Sequence, residues 1–177
     1  RVILERRRAF VSELEGMFQV YYDRVSLGRE KVMLEYSTTI KNDDFPTSLR
    51  GSFERDRILT YTTVGVHRDD LNLSLEGYPV KKLGSQGQKK SFLTALKLAQ
   101  FAYLVKQKGV KPLLLLDDIF DKLDADRVSQ IIQIVSSTDF GQVFVTDTNR
   151  EHIDEILQQH VMEYKIFHVE GGEVMNL

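Results

Sequence analysis

Apolar side chains at Ile3, Phe10, Leu14, Phe18, Tyr21 and Val25 recur mostly three, four or seven residues apart, the period of an amphipathic helix, and predict a helix of about six turns over residues 2–25. Val32, Leu34 and Tyr36 alternate with polar neighbours as in a half-buried strand, and Asn42-Asp43-Asp44 with Pro46 breaks the chain before a short helix at 47–58. A strand-like stretch follows from Thr62 to Val66. Leu71, Leu73 and Leu75 then alternate up to a Glu76-Gly77 turn, so this region reads as a hairpin or small sheet. Residues 86–107 read as one long helix, apolar round most of its circumference through Phe92, Leu93, Leu96, Leu98, Phe101, Leu104 and Val105, as in a helix wedged between layers. Gly109 and Pro112 end it. Leu113 to Leu116 form an unbroken apolar run, the pattern of a strand buried on both faces of a parallel sheet. A helix at 125–136, a strand at 142–146, a helix at 150–158 and a strand at 164–169 continue the alternation. Strands alternating with helices indicate an α/β layer over residues 62–177, with residues 1–61 as an appended, partly helical lobe.

Composition narrows the class. The 177 residues correspond to about one domain or slightly more, and 42% hydrophobic residues suffice for a chain that buries about 70% of its extended surface. Disorder does not fit. The absence of cysteine excludes a disulfide scaffold, a thiolate metal site and a cysteine nucleophile, and fits a reducing, cytoplasmic setting. No apolar run approaches the roughly 18 residues of a membrane span and no secretory signal opens the sequence, which starts at Arg1 as an excised piece would.

The net charge of -2, from 24 basic and 26 acidic residues, conceals a segregation. Gly77 to Leu116 carry eight lysines and no acid, and the next ten residues carry Asp117, Asp118, Asp121, Asp124 and Asp126 against Lys122. Such blocks suit a phosphate and a divalent cation respectively. The plainer reading is a solvated helix face followed by a helix cap.

Ligands of open α/β sheets bind beyond the carboxyl ends of the strands, where Asp117 and Asp118 stand. One carboxylate there can hold a cation while the other acts as a general base, unless Asp118 simply caps the following turn. The second candidate is Leu83-Gly84-Ser85-Gln86-Gly87-Gln88-Lys89-Lys90-Ser91, ahead of the long helix. A serine, a glycine and free N–H groups at a helix start make an anion site, and Lys89 and Lys90 oppose the helix dipole there unless an anion offsets them. Alternatively, Ser85 is an N-cap with the lysines in solvent. The same stretch, 84–91, partly matches a P-loop, G-x-x-x-x-G-K-[ST], but Lys89 occupies the place of the second glycine. His67-Arg68-Asp69 resembles a kinase catalytic loop without the accompanying motifs. The histidines at 67, 152, 160 and 168 lack metal-ligand spacing.

In order and spacing, residues 62–157 resemble the C-terminal part of the RecF family, DNA repair ATPases of the ABC/SMC class. Gly65-Val66-His67-Arg68-Asp69-Asp70-Leu71 is similar to that family's Gly-Pro-His-Arg-Asp-Asp-Leu, and Leu83 to Gln88 resembles its ABC signature. Leu113 to Asp118 resembles a Walker B strand, Leu123-Asp124 a D-loop, and Val143 to Thr148 the strand leading to the switch. The resemblance implies the C-terminal half of an ABC-type ATPase head. It implies that Asp117 binds magnesium, that Asp118 is catalytic, and that Ser85, Gln86, Gly87, Gln88 and Asp124 contact ATP held by a partner subunit. It further implies a homodimer formed with ATP, binding to duplex or gapped DNA, and cooperation with RecO and RecR in loading RecA. The switch histidine common in ABC enzymes is absent, and the Walker A loop is missing, so the chain alone is not expected to hydrolyse ATP, whereas an intact protein is expected to do so slowly and with DNA. A non-catalytic domain that binds magnesium or a basic partner through its aspartates is the reading from another class.

Overall fold

A computed structural model of the chain describes residues 2–118, 122–148, 157–158 and 163–176. Helix α1, Val2–Ser26, buries Leu4, Val11, Leu14, Phe18, Tyr22 and Val25 along one stripe, as its period requires. Leu27 and Gly28, both at positive φ, reverse the chain into strand β1, Val32–Ser37. This strand pairs antiparallel with β2, Asp70–Leu75, and a two-residue Glu76-Gly77 turn joins β2 to β3, Tyr78–Pro79. Both turn residues have positive φ, which matches the twist of a tight hairpin. Between β1 and β2 lies helix α2, Phe45–Leu59, started by Asp44, whose carboxylate accepts the Thr47 N–H. Only Ser52 of α2 is buried.

Helix α3, Val80–Leu83, precedes the long α4, Gln86–Lys108. Strand β4, Leu114–Asp117, runs parallel to β5, Val143–Thr146, with α5, Ala125–Val135, as the crossover. A hairpin of β6, Phe167–Glu170, and β7, Glu173–Asn176, completes the described chain. Two apolar clusters form the core. Leu98, Phe101, Leu114, Leu116, Ile131, Ile134 and Phe140 make one, and Phe18, Tyr22, Leu34, Leu75, Phe92, Ala95 and Ala99 the other. Helix α4 contributes to both, so α1 and β1 share a core with β2 and α4 across residue 61.

Several expectations need correction. Residues 62–66 form no strand: Gly65 sits at φ 142, and Val66–Arg68 is a 3-10 turn. Leu113 to Leu116 are not buried on both faces, since Leu113 is 63% and Leu115 64% exposed while Leu114 and Leu116 are buried. Among the described residues, helices cover one face of the β4–β5 pair only. Likewise α4 separates two clusters but keeps an outer face, with Leu93 54% exposed. The last strand pairs with β7 rather than extending the parallel pair. The helix expected at 150–158, apart from 157–158, lies outside the described residues, as does Asp121. No helix of the described residues is long and apolar enough to cross a membrane.

Candidate functional site

The carboxyl end of β4 places Asp117 opposite Thr146 of β5, and the Thr146 hydroxyl donates to Asp117 Oδ1. The next residue leaves the strand. Asp118 takes φ +46, a left-handed conformation that costs a non-glycine residue about 1–2 kcal/mol. Its N–H is received by the Thr146 carbonyl at 3.1 Å and its backbone carbonyl accepts Lys90 Nζ at 2.8 Å. Lys90 Nζ also lies 3.5 Å from Asp118 Oδ2. The turn directly after Asp118 lies outside the described residues; the cap of α5 is Asp124, whose Oδ1 accepts the Arg127 N–H at 2.9 Å.

At the start of α4 a reciprocal capping box forms. Ser85 Oγ accepts the Gln88 N–H at 3.2 Å, and Gln88 Oε1 accepts the Ser85 N–H at 2.8 Å, which satisfies two donors of the helix end. In this box Ser85 Oγ acts as an acceptor, and its own proton is available to a ligand. The N–H groups of Gln86 and Gly87 lie in the first turn, where a helix offers no carbonyl partner. Gly87 also keeps this turn close to the loop before Asp124: a Cβ there would stand 3.1 Å from the Lys122 carbonyl oxygen. A P-loop at 84–91 does not fit. Helix α3, not a strand, precedes it, Lys90 is turned to Asp118, and Ser91 is buried with its Oγ accepting Arg127 Nη1 at 2.8 Å.

A polar network that the sequence did not reveal joins these stretches. Glu30 Oε2 accepts the Tyr22 hydroxyl at 2.6 Å, and Glu30 Oε1 accepts Gln88 Nε2 at 2.8 Å and Arg127 Nη2 at 3.3 Å. Arg127 Nε lies 3.2 Å from Asp124 Oδ2. Burial pushes the Glu30 carboxyl up, but hydrogen bonds from Tyr22 and Gln88 and the Arg127 charge outweigh it and hold it below the usual range. Burial, with the adjacent Glu30 carboxylate, pushes the Tyr22 phenol up. Arg127 sits three residues after its capping aspartate, a local signal; Glu30 has none, because its partner is 97 residues away.

His67 to Asp69 form a clasp, and Asp70 stays exposed at the start of β2. The Asp69 side chain, 2% exposed, accepts Arg7 Nη1 from α1 at 2.8 Å and the Tyr36 hydroxyl from β1. His67 and Arg68 both turn to the Thr62 carbonyl, at 3.2 and 3.1 Å, and the Arg68 guanidinium lies 4.7 Å from the Tyr61 ring centroid.

The donor set fits a nucleotide with magnesium. Magnesium binds through one or two carboxylates, keeping waters and phosphate oxygens as its other ligands, and Asp117 beside the Thr146 hydroxyl supplies one such carboxylate at the end of a parallel pair. Among the described residues no cluster of three acids or histidines offers a full protein cage.

No protein-family model matches the chain. The DNA replication and repair protein RecF of Bacteroides fragilis (strain YCH46) is 48% identical over 173 residues, which are 98% of this chain and 47% of that protein. The corresponding protein of Phocaeicola vulgatus is 49% identical over 174 residues, 98% of this chain and 47% of that protein. A solved structure of the recombination mediator protein RecF-ATPrS in the RecFOR pathway superposes with a TM-score of 0.72 at 24% identity, over 99% of this chain and 46% of that one. That likeness shows that the chain shares the fold of about half of that structure, consistent with the C-terminal half of an ABC-type ATPase head. Identity near one half along almost the whole sequence, on a shared fold, means that the chain belongs to the RecF family, spanning about half the length of the curated relatives it matches.

Proposed function

We propose that this chain is the half of a RecF-like DNA repair protein that carries the signature, Walker B and D-loop segments, and that a RecF-length protein containing it dimerises with ATP, binds duplex or gapped DNA and assists RecA loading with RecO and RecR. The observation that carries this reading is the convergence on one strand end: Asp117 and Asp118 close β4, and Lys90, one turn beyond the Ser85 cap, holds Asp118. An interaction domain needs no such link between a helix start and an aspartate in a strained conformation.

In this reading Asp117 holds magnesium, and Asp118 orients and deprotonates the attacking water, with Lys90 restricting where its carboxylate points. Ser85 and the Gln86 and Gly87 N–H groups face phosphates presented by a partner subunit, with Gln88 turned inward to hold Ser85 and Glu30 rather than the nucleotide and Asp124 at the same junction. ATP supplies the bond to be cleaved and the charge that joins two heads. Closure depends only on the closed form being contacted better than the open one. Residues 45–59 stand apart from the shared core, and we assign α2 to the appended lobe, so that this lobe takes only part of residues 1–61.

The test uses the intact protein. Ser85→Arg is expected to fill the phosphate-facing turn and abolish ATP-dependent dimerisation in sedimentation velocity; unchanged sedimentation would end the signature assignment. Asp118→Asn is expected to dimerise but turn over ATP at least about 100-fold more slowly, and equal turnover would remove Asp118 as the base.

A further inference from the structure

We infer that Glu30 and Arg127 are positioning residues that lock the Ser85–Gln88 turn and the Asp124 loop into one unit, so that the two stretches assigned to nucleotide move together. The inference rests on the nucleotide reading above. Both helix starts are already capped without this pair, α4 by the Ser85–Gln88 box and α5 by Asp124. A second layer of charge is more than capping needs. Yet the Gly28 turn at the end of α1 delivers Glu30 to Gln88, the residue that closes the box, and to Arg127, while Arg127 simultaneously reaches Ser91 on α4 and Asp124. The two side chains are 12% and 14% exposed, for Arg127 and Glu30 respectively.

Charges so withdrawn from water are held by their geometry, and removing one leaves the other poorly compensated. The two stretches also lie close, since a Cβ added at Gly87 would stand 3.1 Å from the Lys122 carbonyl oxygen. A shift of α1's last turns, which carry the buried Tyr22 bonded to Glu30 beyond the Gly28 turn, must therefore displace both stretches or break the network.

The experiment compares Glu30→Gln, Arg127→Gln and Arg127→Lys in the intact protein, reading nucleotide affinity of the separate subunit with a fluorescent ATP analogue, ATP-driven dimerisation by sedimentation, and folding by urea titration. Glu30→Gln and Arg127→Gln are expected to weaken dimerisation roughly ten-fold or more while subunit affinity for nucleotide stays within about two-fold. Arg127→Lys is expected to recover part of the loss, because a lysine can reach Glu30 but not Ser91 and Asp124 at once. Dimerisation that falls only in step with subunit affinity or with folded fraction would overturn the inference in favour of a merely structural role. Should Arg127→Gln fail to fold, the nearly isosteric Glu30→Gln decides the matter alone. Ser85→Arg separates the two levels. If it leaves dimerisation intact, the nucleotide reading has failed; if it abolishes dimerisation while Glu30→Gln and Arg127→Gln do not weaken it, only the present inference falls.

Discussion

Asp69 ties α1, β1 and the 3-10 turn together with one buried carboxylate. Because Arg7 is half exposed, its ion pair adds little, and the larger loss on substitution is the hydrogen bond from Tyr36. Asp69→Ala is expected to cost about 1–3 kcal/mol in urea unfolding, whereas Asp70→Ala, at an exposed neighbour, should change stability by less than about 0.5 kcal/mol. Gly65 is equally constrained: at φ 142 a side chain is strained, and its Cβ would stand 2.9 Å from His67 Nδ1. Glu30 gives a pH signature. Its folded pKa lies below the ordinary 4.5, so the ionised group contributes stability above that value, and the contribution is lost as pH falls through the lowered folded value. Glu30→Gln should thus be less stable than the parent at neutral pH, with the gap closing below about pH 4.5, read by urea unfolding from neutral to acid conditions.

At the scale of elements, the start of α4 carries two roles that substitution can separate. Ser85→Ala removes the cap and should cost about 0.5–2 kcal/mol, together with dimerisation. Ser85→Asn retains an N-cap acceptor but loses the hydroxyl proton, so it should unfold near the parent's denaturant midpoint and still fail to dimerise with ATP. Legibility followed the range of the cause. Helices α1, α4 and α5 announce themselves through period and caps, and the Ser85, Asp117, Asp118 and Asp124 positions through short motifs. What escaped has long-range causes. The positive-φ Gly65 is held by the Thr39 hydroxyl, the clasp around Asp69 depends on Arg7 and Tyr36, the Glu30 network on a partner 97 residues away, and the exposure of Leu115 on which layers cover the sheet.

On the scale of the whole molecule, that exposure sets a test of how the chain is completed. Leu113, Leu115 and Phe144 leave the β4–β5 pair with an open apolar face, and residues of this size, once buried, each contribute about 1.5–3 kcal/mol. A chain half as long as its relatives has a natural cover in the remainder of a RecF-length protein. If that remainder packs here, Leu115→Ser should cost about 2–5 kcal/mol in the intact protein, the range for emptying a core leucine site. In the separate 177-residue chain the same change removes an exposed leucine, so it should leave urea unfolding nearly unaltered and reduce concentration-dependent association in sedimentation. Equally small costs in the two contexts would mean that the face stays open in the intact protein. The contrast between contexts is the informative quantity, because a defect intrinsic to β4 would appear in both.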